Sequence, residues 1–230
     1  MSNYKHIFFD LDRTLWDFDK NSSETLKEIF IELKLHDYFS SVAQFLEIYY
    51  KHNDKLWEGY RLGKLSKEDL RSLRFDLTLR DVNVINPELA DIIGKYYVRI
   101  IADKTYLQPF AFEILNYLQP KYYLYILTNG FRDTQLDKLE KTGLSLFFSR
   151  VFTSETIGFN KPHPEIFHRA VSSVNAKKNE CLMIGDDFEV DIMGAKSYGI
   201  DQVFFNPGNL FINEKATYEI NSLINLKSIL

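Results

Sequence analysis

The sequence predicts an α/β protein whose parallel sheet is interrupted, directly after its first strand, by an all-helical insertion. A short apolar strand lies near the start of the chain, the stretch to about residue 103 has helical periodicity, and from residue 104 onward apolar strands alternate with helices. Continuous apolar strands alternating with helices are typical of a parallel sheet covered on both faces. We therefore expect a discontinuous core of residues 1–15 and 104–230 and a helical domain of residues 16–103.

The first strand lies in the segment HIFFDLDRTLW, which runs from His6 to Trp16. Residues 7–9 are apolar and continuous, which predicts a buried strand. The apolar run stops at Asp10, and a second acid, Asp12, follows two residues later. The sequence therefore ends a buried strand on two carboxylates.

The insertion contains several helix-start signals and no convincing strand. Asn21 and Ser66 are each followed three residues later by an acidic residue, as in a capping box. Asn86 precedes Pro87, and proline at the first helical position loses no intrahelical hydrogen bond. Between these starts, apolar residues recur at helical spacing from about residue 42 to 60. These signals predict an all-helical domain.

The second half of the chain alternates strands and helices. We expect strands in the segments YYLYILTNG, VFTSE, CLMIGDD and DQVFFN, the last of these being the final strand. Helices are expected around residues 110–118, after Thr128 as far as Gly143, in HPEIFHRAVSSV, and in EVDIMGAKSYG as far as Gly199. This alternation predicts the parallel sheet of the core.

Composition excludes several classes of function. The 230 residues carry a net charge of −4, so the chain lacks the basic character of proteins that bind nucleic-acid polymers. A single cysteine, Cys181, allows no intrachain disulfide, and we expect it to be a small buried core residue. No run of about 20 apolar residues indicates a membrane span. We expect a soluble, cytoplasmic protein with no membrane partner.

Polar residues follow the expected strands where each one ends. These residues are Asp10 and Asp12, then Thr128 and Asn129, then Gly185, Asp186 and Asp187, with Asp191 just beyond and Lys161 in a loop able to reach the same edge. Ligands of open parallel sheets bind at the carboxyl ends of the strands. Clustered carboxylates suit Mg²⁺, which prefers hard oxygen ligands and often shares them with a phosphate. Lys161 and Thr128 would then supply a cation and a hydroxyl to the phosphate.

Each of these features has an ordinary structural explanation when it is taken alone. Asp12 could be a turn residue, Thr128-Asn129-Gly130 is a common turn sequence, Lys161 could be a solvated charge, and the acids after Gly185 could cap a helix. Their occurrence in this order, each at a strand end, favours a functional site.

The ordered segments DLDRT from Asp10, TNG from Thr128, KP from Lys161 and GDDFEVD from Gly185 resemble the four motifs of the haloacid dehalogenase superfamily of phosphohydrolases. The resemblance implies a Rossmann-like core and a helical cap domain inserted after the first strand. Arg13 departs from the glycine that many members carry, and it either points to solvent or leans over the substrate.

The resemblance also implies a role for each motif residue. Asp10 would attack phosphorus to form an aspartyl-phosphate, and Asp12 would protonate the leaving oxygen and then activate water. Thr128, Asn129 and Lys161 would bind the phosphate. Mg²⁺ would be held by Asp10, Asp186 and the backbone carbonyl of Asp12, with support from Asp187 and Asp191. The expected partner is a small phosphomonoester.

Further segments in the core and the insertion are similar to the pyrimidine 5′-nucleotidases, among them LWEGYRLGKLSKEDLRSLRF and SETIGFNKPHPEIF. This similarity implies a nucleoside monophosphate substrate. Trp16 and Trp57 are the first choices among aromatic residues on which a base could stack. The alternatives are a phosphatase of phosphosugars or other small phosphomonoesters, a 2-haloacid dehalogenase, or a non-catalytic phosphate-binding module. Asp12 argues against a dehalogenase, since dehalogenating members do not carry the second aspartate.

Overall fold

A six-stranded parallel sheet forms the centre of the core. The computed structural model describes residues 3–230 of the chain. The strands are arranged in the order β3-β2-β1-β4-β5-β6. Their bounds are β1 (His6–Phe9), β2 (Tyr123–Thr128), β3 (Arg150–Thr153), β4 (Cys181–Gly185), β5 (Asp201–Phe205) and β6 (Tyr218–Ile220). The α/β fold class expected from the alternating pattern is confirmed.

The strand register brings the ends of three strands to one edge of the sheet. β1 lies between β2 and β4, and Phe9 pairs with Ile126 on one side and with Ile184 on the other. Because all three strands run parallel, the residues that follow them emerge together. Asp10, Thr128 and the acids after Gly185 therefore share the carboxyl edge of the sheet.

Helices and short helical turns complete the chain. The α-helices are α1 (Phe18–Glu32), α2 (Val42–Arg61), α3 (Lys67–Arg80), α4 (Pro87–Ile101), α5 (Ala111–Leu118), α6 (Arg132–Lys141), α7 (Ser154–Ile157), α8 (Pro164–Ser173) and α9 (Gly194–Tyr198). Gly143 and Gly199 follow α6 and α9 with φ values of 73° and 94°, a left-handed conformation that favours glycine. The helix ends expected at these two glycines are confirmed.

The chain divides into two compact units. One consists of the stretch up to Phe18 together with Thr105–Leu230, and the other is Asp19–Lys104. The first contains the sheet, and the second contains α2, α3, α4 and nearly all of α1. No helix among the described residues is long and apolar enough to cross a membrane. That the second unit acts as a cap stays a prediction.

Aromatic side chains form the interior of the helical unit. Tyr49 of α2, Phe75 of α3 and Tyr97 of α4 are buried, and their ring centroids lie 5.2–5.8 Å apart. The guanidinium of Arg74 lies 4.5 Å from the centroid of Tyr97, and its Nη1 donates to the Tyr49 hydroxyl. Tyr49 and Phe75 therefore serve as core residues rather than as exposed surfaces.

Three expectations about secondary structure need correction. Asn21 is not an N-cap, because α1 begins at Phe18 and Asn21 is buried inside the helix. Phe188–Met193 forms a π-helical turn before α9, where one continuous helix was expected. The final strand is β6 and not DQVFFN, because the chain returns to pair β6 with β5. In contrast, the caps expected at Ser66 and Asn86 are confirmed.

Candidate active site

Asp10 is held at the end of the central strand. Its backbone N–H donates to the carbonyl of Ile184, which continues the ladder between β1 and β4. Its side chain is buried and accepts a hydrogen bond of 2.6 Å from Lys161 Nζ. Lys161 also donates to the carbonyl of Leu127 at 2.8 Å and pairs with Asp191 at 2.7 Å. A rigid strand end and a buried ammonium thus fix one carboxylate oxygen of Asp10.

Three carboxylates meet at this point. Side-chain oxygens of Asp10, Asp186 and Asp191 all lie within 4.8 Å of one another. Burial raises the pKa of Asp186 well above its ordinary range, and the charges of Asp10 and Asp191 add to the rise. Burial acts to lower the pKa of Lys161, but its two carboxylate partners outweigh burial and raise it. Lys161 therefore stays protonated, while burial raises the pKa of each of the three acids around it.

Glycine at position 185 makes this cluster possible. A Cβ at Gly185 would lie 2.2 Å from Asp191 Oδ2, a separation that no side chain tolerates. Asp187 caps the turn that follows by accepting from the N–H of Val190 at 3.0 Å. Thr14 donates to Asp186 Oδ1 at 2.9 Å. The sequence after β4 thus folds back so that Asp191 reaches Lys161 while Asp186 stays at the edge of the sheet.

The side chains of Thr128 and Asn129 make different hydrogen bonds. The Thr128 hydroxyl accepts from the N–H of Gly130 at 3.0 Å and lies at the same edge as Asp10. The Asn129 side chain accepts from the N–H of Lys161 at 2.7 Å and donates to its carbonyl at 2.9 Å. Both ends of the Asn129 amide are therefore engaged with the Lys161 backbone. Its side chain therefore positions Lys161, and the phosphate contact expected of Asn129 stays a prediction.

The Asp12 carboxylate lies apart from the three clustered acids. Its Oδ2 accepts from Gln135 Nε2 at 2.8 Å and its Oδ1 from Lys138 Nζ at 2.6 Å. Sequence reasoning missed both of these α6 residues. Their spacing of three on a helix that follows a strand-end motif was the available signal.

The two tryptophans expected to contact a base lie in different units. Trp16 is fully buried, and Lys138 Nζ lies 3.9 Å from its ring centroid. A covered ring offers no face to a base, so Trp16 is not a stacking surface in this structure. Trp57 is half-buried on α2, with its ring centroid 5.7 Å from that of Tyr60.

Arg13, the residue that departs from the motif's glycine, has a φ of 64°, and its guanidinium lies 4.5 Å from the Phe18 ring centroid.

Comparison with known proteins shows the family. The model of the haloacid dehalogenase-like hydrolases matches residues 4–199, which include every residue of the cluster described above. The chain belongs to this family and is a hydrolase. It has the parallel sheet and the strand-end carboxylates that the four motifs predict.

Several relatives resemble the chain over nearly its whole length. It is 31% identical to the HAD-hydrolase family protein YfnB of Bacillus subtilis over 100% of this chain and 97% of that protein. A crystal structure of YfnB bound to magnesium matches with a TM-score of 0.90 and 29% identity over 98% of both chains. The pyrimidine 5′-nucleotidase PynA of Streptococcus pneumoniae is 30% identical over 95% of this chain and 92% of its own. The glyceraldehyde 3-phosphate phosphatase of Pyrococcus furiosus is 30% identical over 100% and 94%.

Proposed function

We propose that the protein is a Mg²⁺-dependent phosphomonoesterase that acts through a phosphorylated Asp10, with pyrimidine nucleoside monophosphates as its substrates. The observation that carries the proposal is the buried cluster of Asp10, Asp186 and Asp191 around Lys161 at the carboxyl edge of the sheet. The comparisons support it, because PynA is named for this activity and the YfnB crystal structure holds magnesium.

The donor set of the cluster fits Mg²⁺. Three carboxylates with oxygens within 4.8 Å of one another provide hard ligands only, and the single ammonium of Lys161, which contacts two of them, leaves negative charge in excess when all three are ionised. Asp10, Asp186 and the backbone carbonyl of Asp12 would hold the ion, and Asp187 and Asp191 would support it. When bound, Mg²⁺ supplies positive charge that screens Asp10 from the phosphate dianion.

Asp10 and Asp12 carry the chemistry. Asp10 Oδ attacks phosphorus, so an oxygen–phosphorus bond forms while the bond from phosphorus to the alcohol oxygen breaks, and Asp12 gives that oxygen a proton. Asp12 then takes a proton from a water that attacks the phosphorylated Asp10, which breaks the bond from Asp10 to phosphorus, releases inorganic phosphate and restores the Asp10 carboxylate and the protonated Asp12. Lys161 and Thr128 neutralise and bind the phosphate oxygens throughout. The strand and the Lys161 contact keep Asp10 aligned for displacement.

The choice of substrate is tested by turnover of a panel of phosphomonoesters with Mg²⁺. We expect kcat/KM to be highest for pyrimidine nucleoside monophosphates and lower for purine nucleotides and sugar phosphates. Glyceraldehyde 3-phosphate belongs in the panel, because the Pyrococcus furiosus relative is named for it. Higher kcat/KM for sugar phosphates would overturn the nucleotidase assignment, and turnover of no phosphomonoester would overturn the phosphatase itself. The cytoplasmic location stays a prediction of the sequence.

A further inference from the structure

We propose that Gln135 and Lys138 are positioning residues for Asp12, holding its carboxylate where it exchanges protons with the leaving group and with water. The proposal rests on the proposed function and adds to it. Together the two residues are called the Asp12 clamp. They lie three positions apart on α6, so they project from the same side of the helix. Each binds a different oxygen of the same carboxylate, at 2.8 Å from Gln135 and 2.6 Å from Lys138.

Lys138 is much more buried than the acid with which it pairs. Its side chain is only 5% exposed, whereas that of Asp12 is 26% exposed. A partly exposed acid needs no buried partner, and desolvating an ammonium to reach it costs free energy that offsets the gain from the ion pair. The ring of Trp16, 3.9 Å from Lys138 Nζ, recovers part of that cost by a cation–π contact. The fold thus buries a lysine to reach a partly exposed acid, an arrangement that favours a functional contact.

The side-chain amide of Gln135 has paired N–H groups and an unpaired oxygen. Its Nε2 uses both hydrogens, one for Asp12 and one for the Thr128 hydroxyl at 3.0 Å. Its Oε1 is buried and has no hydrogen-bond partner among the described residues. An unpaired buried carbonyl destabilises the fold. The amide orientation is therefore dictated by its two acceptors, and it ties the proton-transferring carboxylate to the hydroxyl proposed to bind the phosphate.

Gly130 leaves the space that this link needs. A Cβ at Gly130 would lie 1.8 Å from Gln135 Nε2 and 2.5 Å from its Cδ. Any side chain at position 130 would push the amide away from Asp12 and Thr128. The turn after β2 therefore requires glycine for the close approach of Gln135, and this requirement supports the assignment independently of the Asp12 contacts.

Positioning matters because an acid must lie within hydrogen-bond reach of the oxygen that it protonates. A misplacement of about 1 Å can cost about 10²-fold in rate. The clamp donates hydrogen bonds and transfers no proton. Its loss should therefore slow only those reactions whose leaving group needs the Asp12 proton. Alkoxides of nucleosides need it, whereas nitrophenolate departs without help.

The first experiment compares two substrates in Lys138→Met and Gln135→Leu. Because kcat/KM covers substrate binding and the steps up to departure of the leaving group, it excludes the later hydrolysis of phosphorylated Asp10. We expect kcat/KM to fall by about 10²-fold with deoxyuridine monophosphate and far less with nitrophenyl phosphate. Lys27→Met, an exposed lysine of α1, is the matched control and should change neither value. Equal losses with both substrates in both variants would overturn the proposal.

The second experiment asks whether the clamp acts through Asp12. In an Asp12→Asn background, Lys138→Met should cause no further loss that is specific to the nucleotide, because residues acting through one group are not additive. A full additional loss would show that Lys138 acts elsewhere. Urea unfolding of the wild-type protein, Asp12→Asn, Lys138→Met and the double variant gives a readout without turnover. The shifts in urea midpoint caused by the two single substitutions should not add in the double variant. Additive shifts would refute the clamp, whereas lack of turnover in the wild-type protein would refute the proposed function.

Discussion

Replacing Asp10 with asparagine should abolish turnover and yet stabilise the metal-free protein at alkaline pH. Burial raises the pKa of Asp10 from 3.8 to about 7, even though Lys161 opposes the rise. Since one pKa unit corresponds to about 1.4 kcal/mol, the ionised carboxylate destabilises the fold by about 4 kcal/mol above pH 7. Stability of a domain is typically about 5–15 kcal/mol, so this is a large share.

The sign follows from which state holds the proton. Between about pH 4 and pH 7 the native Asp10 keeps its proton while the unfolded chain has released it, so the stability of the wild-type protein falls as the pH rises. Because asparagine cannot ionise, the stability of Asp10→Asn does not fall with pH for this reason. From pH 5 to pH 8 we therefore expect the free energy of unfolding of Asp10→Asn to gain about 2–3 kcal/mol relative to wild type.

Urea unfolding followed by circular dichroism, in excess chelator at pH 5 and pH 8, measures this difference. Asp137→Asn removes an exposed acid of α6 and is the matched control, which should follow the wild-type protein at both pH values. Mass spectrometry must exclude deamidation of the introduced asparagine back to aspartate before turnover is scored. If the free energy of unfolding of Asp10→Asn relative to wild type does not increase from pH 5 to pH 8, ionised Asp10 does not destabilise the fold. Retained turnover in Asp10→Asn would show that Asp10 is not the nucleophile.

Three further changes test the rest of the site. Asp186→Ala should abolish turnover and Mg²⁺ binding measured by calorimetry, and full wild-type activity in excess chelator would contradict the metal assignment. Asp12→Asn should give a fast first turnover with nitrophenyl phosphate and then slow release from phosphorylated Asp10, with no burst from a nucleoside monophosphate; rapid-mixing kinetics would show a burst from both substrates if Asp12 is not the acid. Gly185→Ala should displace Asp191 and lower the free energy of unfolding by about 1–3 kcal/mol, because its Cβ would lie 2.2 Å from Asp191 Oδ2. Gly208→Ala, whose Cβ would meet only Leu210 at 3.8 Å, should be tolerated.

The strand-end acids could be predicted from the sequence because their environment is local. The apolar runs of β1 and β4 each stop on an acid, and a parallel sheet brings such ends to one edge. The spacing of Gln135 and Lys138 predicts that they share one side of α6. It does not predict that they reach Asp12, since Gln135 is 123 positions away and polar helix residues are normally solvated. Only the packing of α6 against the turn after β1 shows that these two side chains are buried.

Local signals were wrong where tertiary packing outweighed them. The Asn21 capping pattern is a surface signal, but Asn21 is buried within α1, which already begins at Phe18. The three residues of β6 are too few for a periodic pattern, and this strand forms by pairing with β5 alone. Trp16 has a residue type suited to stacking, but the chain uses its ring to cover the Lys138 ammonium.

Charge balance connects the two halves of the site. Asp10, Asp186 and Asp191 carry three negative charges when ionised, and Lys161 contributes one positive charge in direct contact with two of them. Two negative charges remain, which a divalent ion cancels and a monovalent ion does not. Outside this cluster, Lys138 Nζ lies 2.6 Å from Asp12 Oδ1, so a separate lysine offsets the charge of Asp12 whenever its carboxylate is ionised. On the proposed function, a divalent ion in this cluster would therefore reduce the repulsion of a phosphate dianion, with one lysine contributed by the loop before α8 and another by α6.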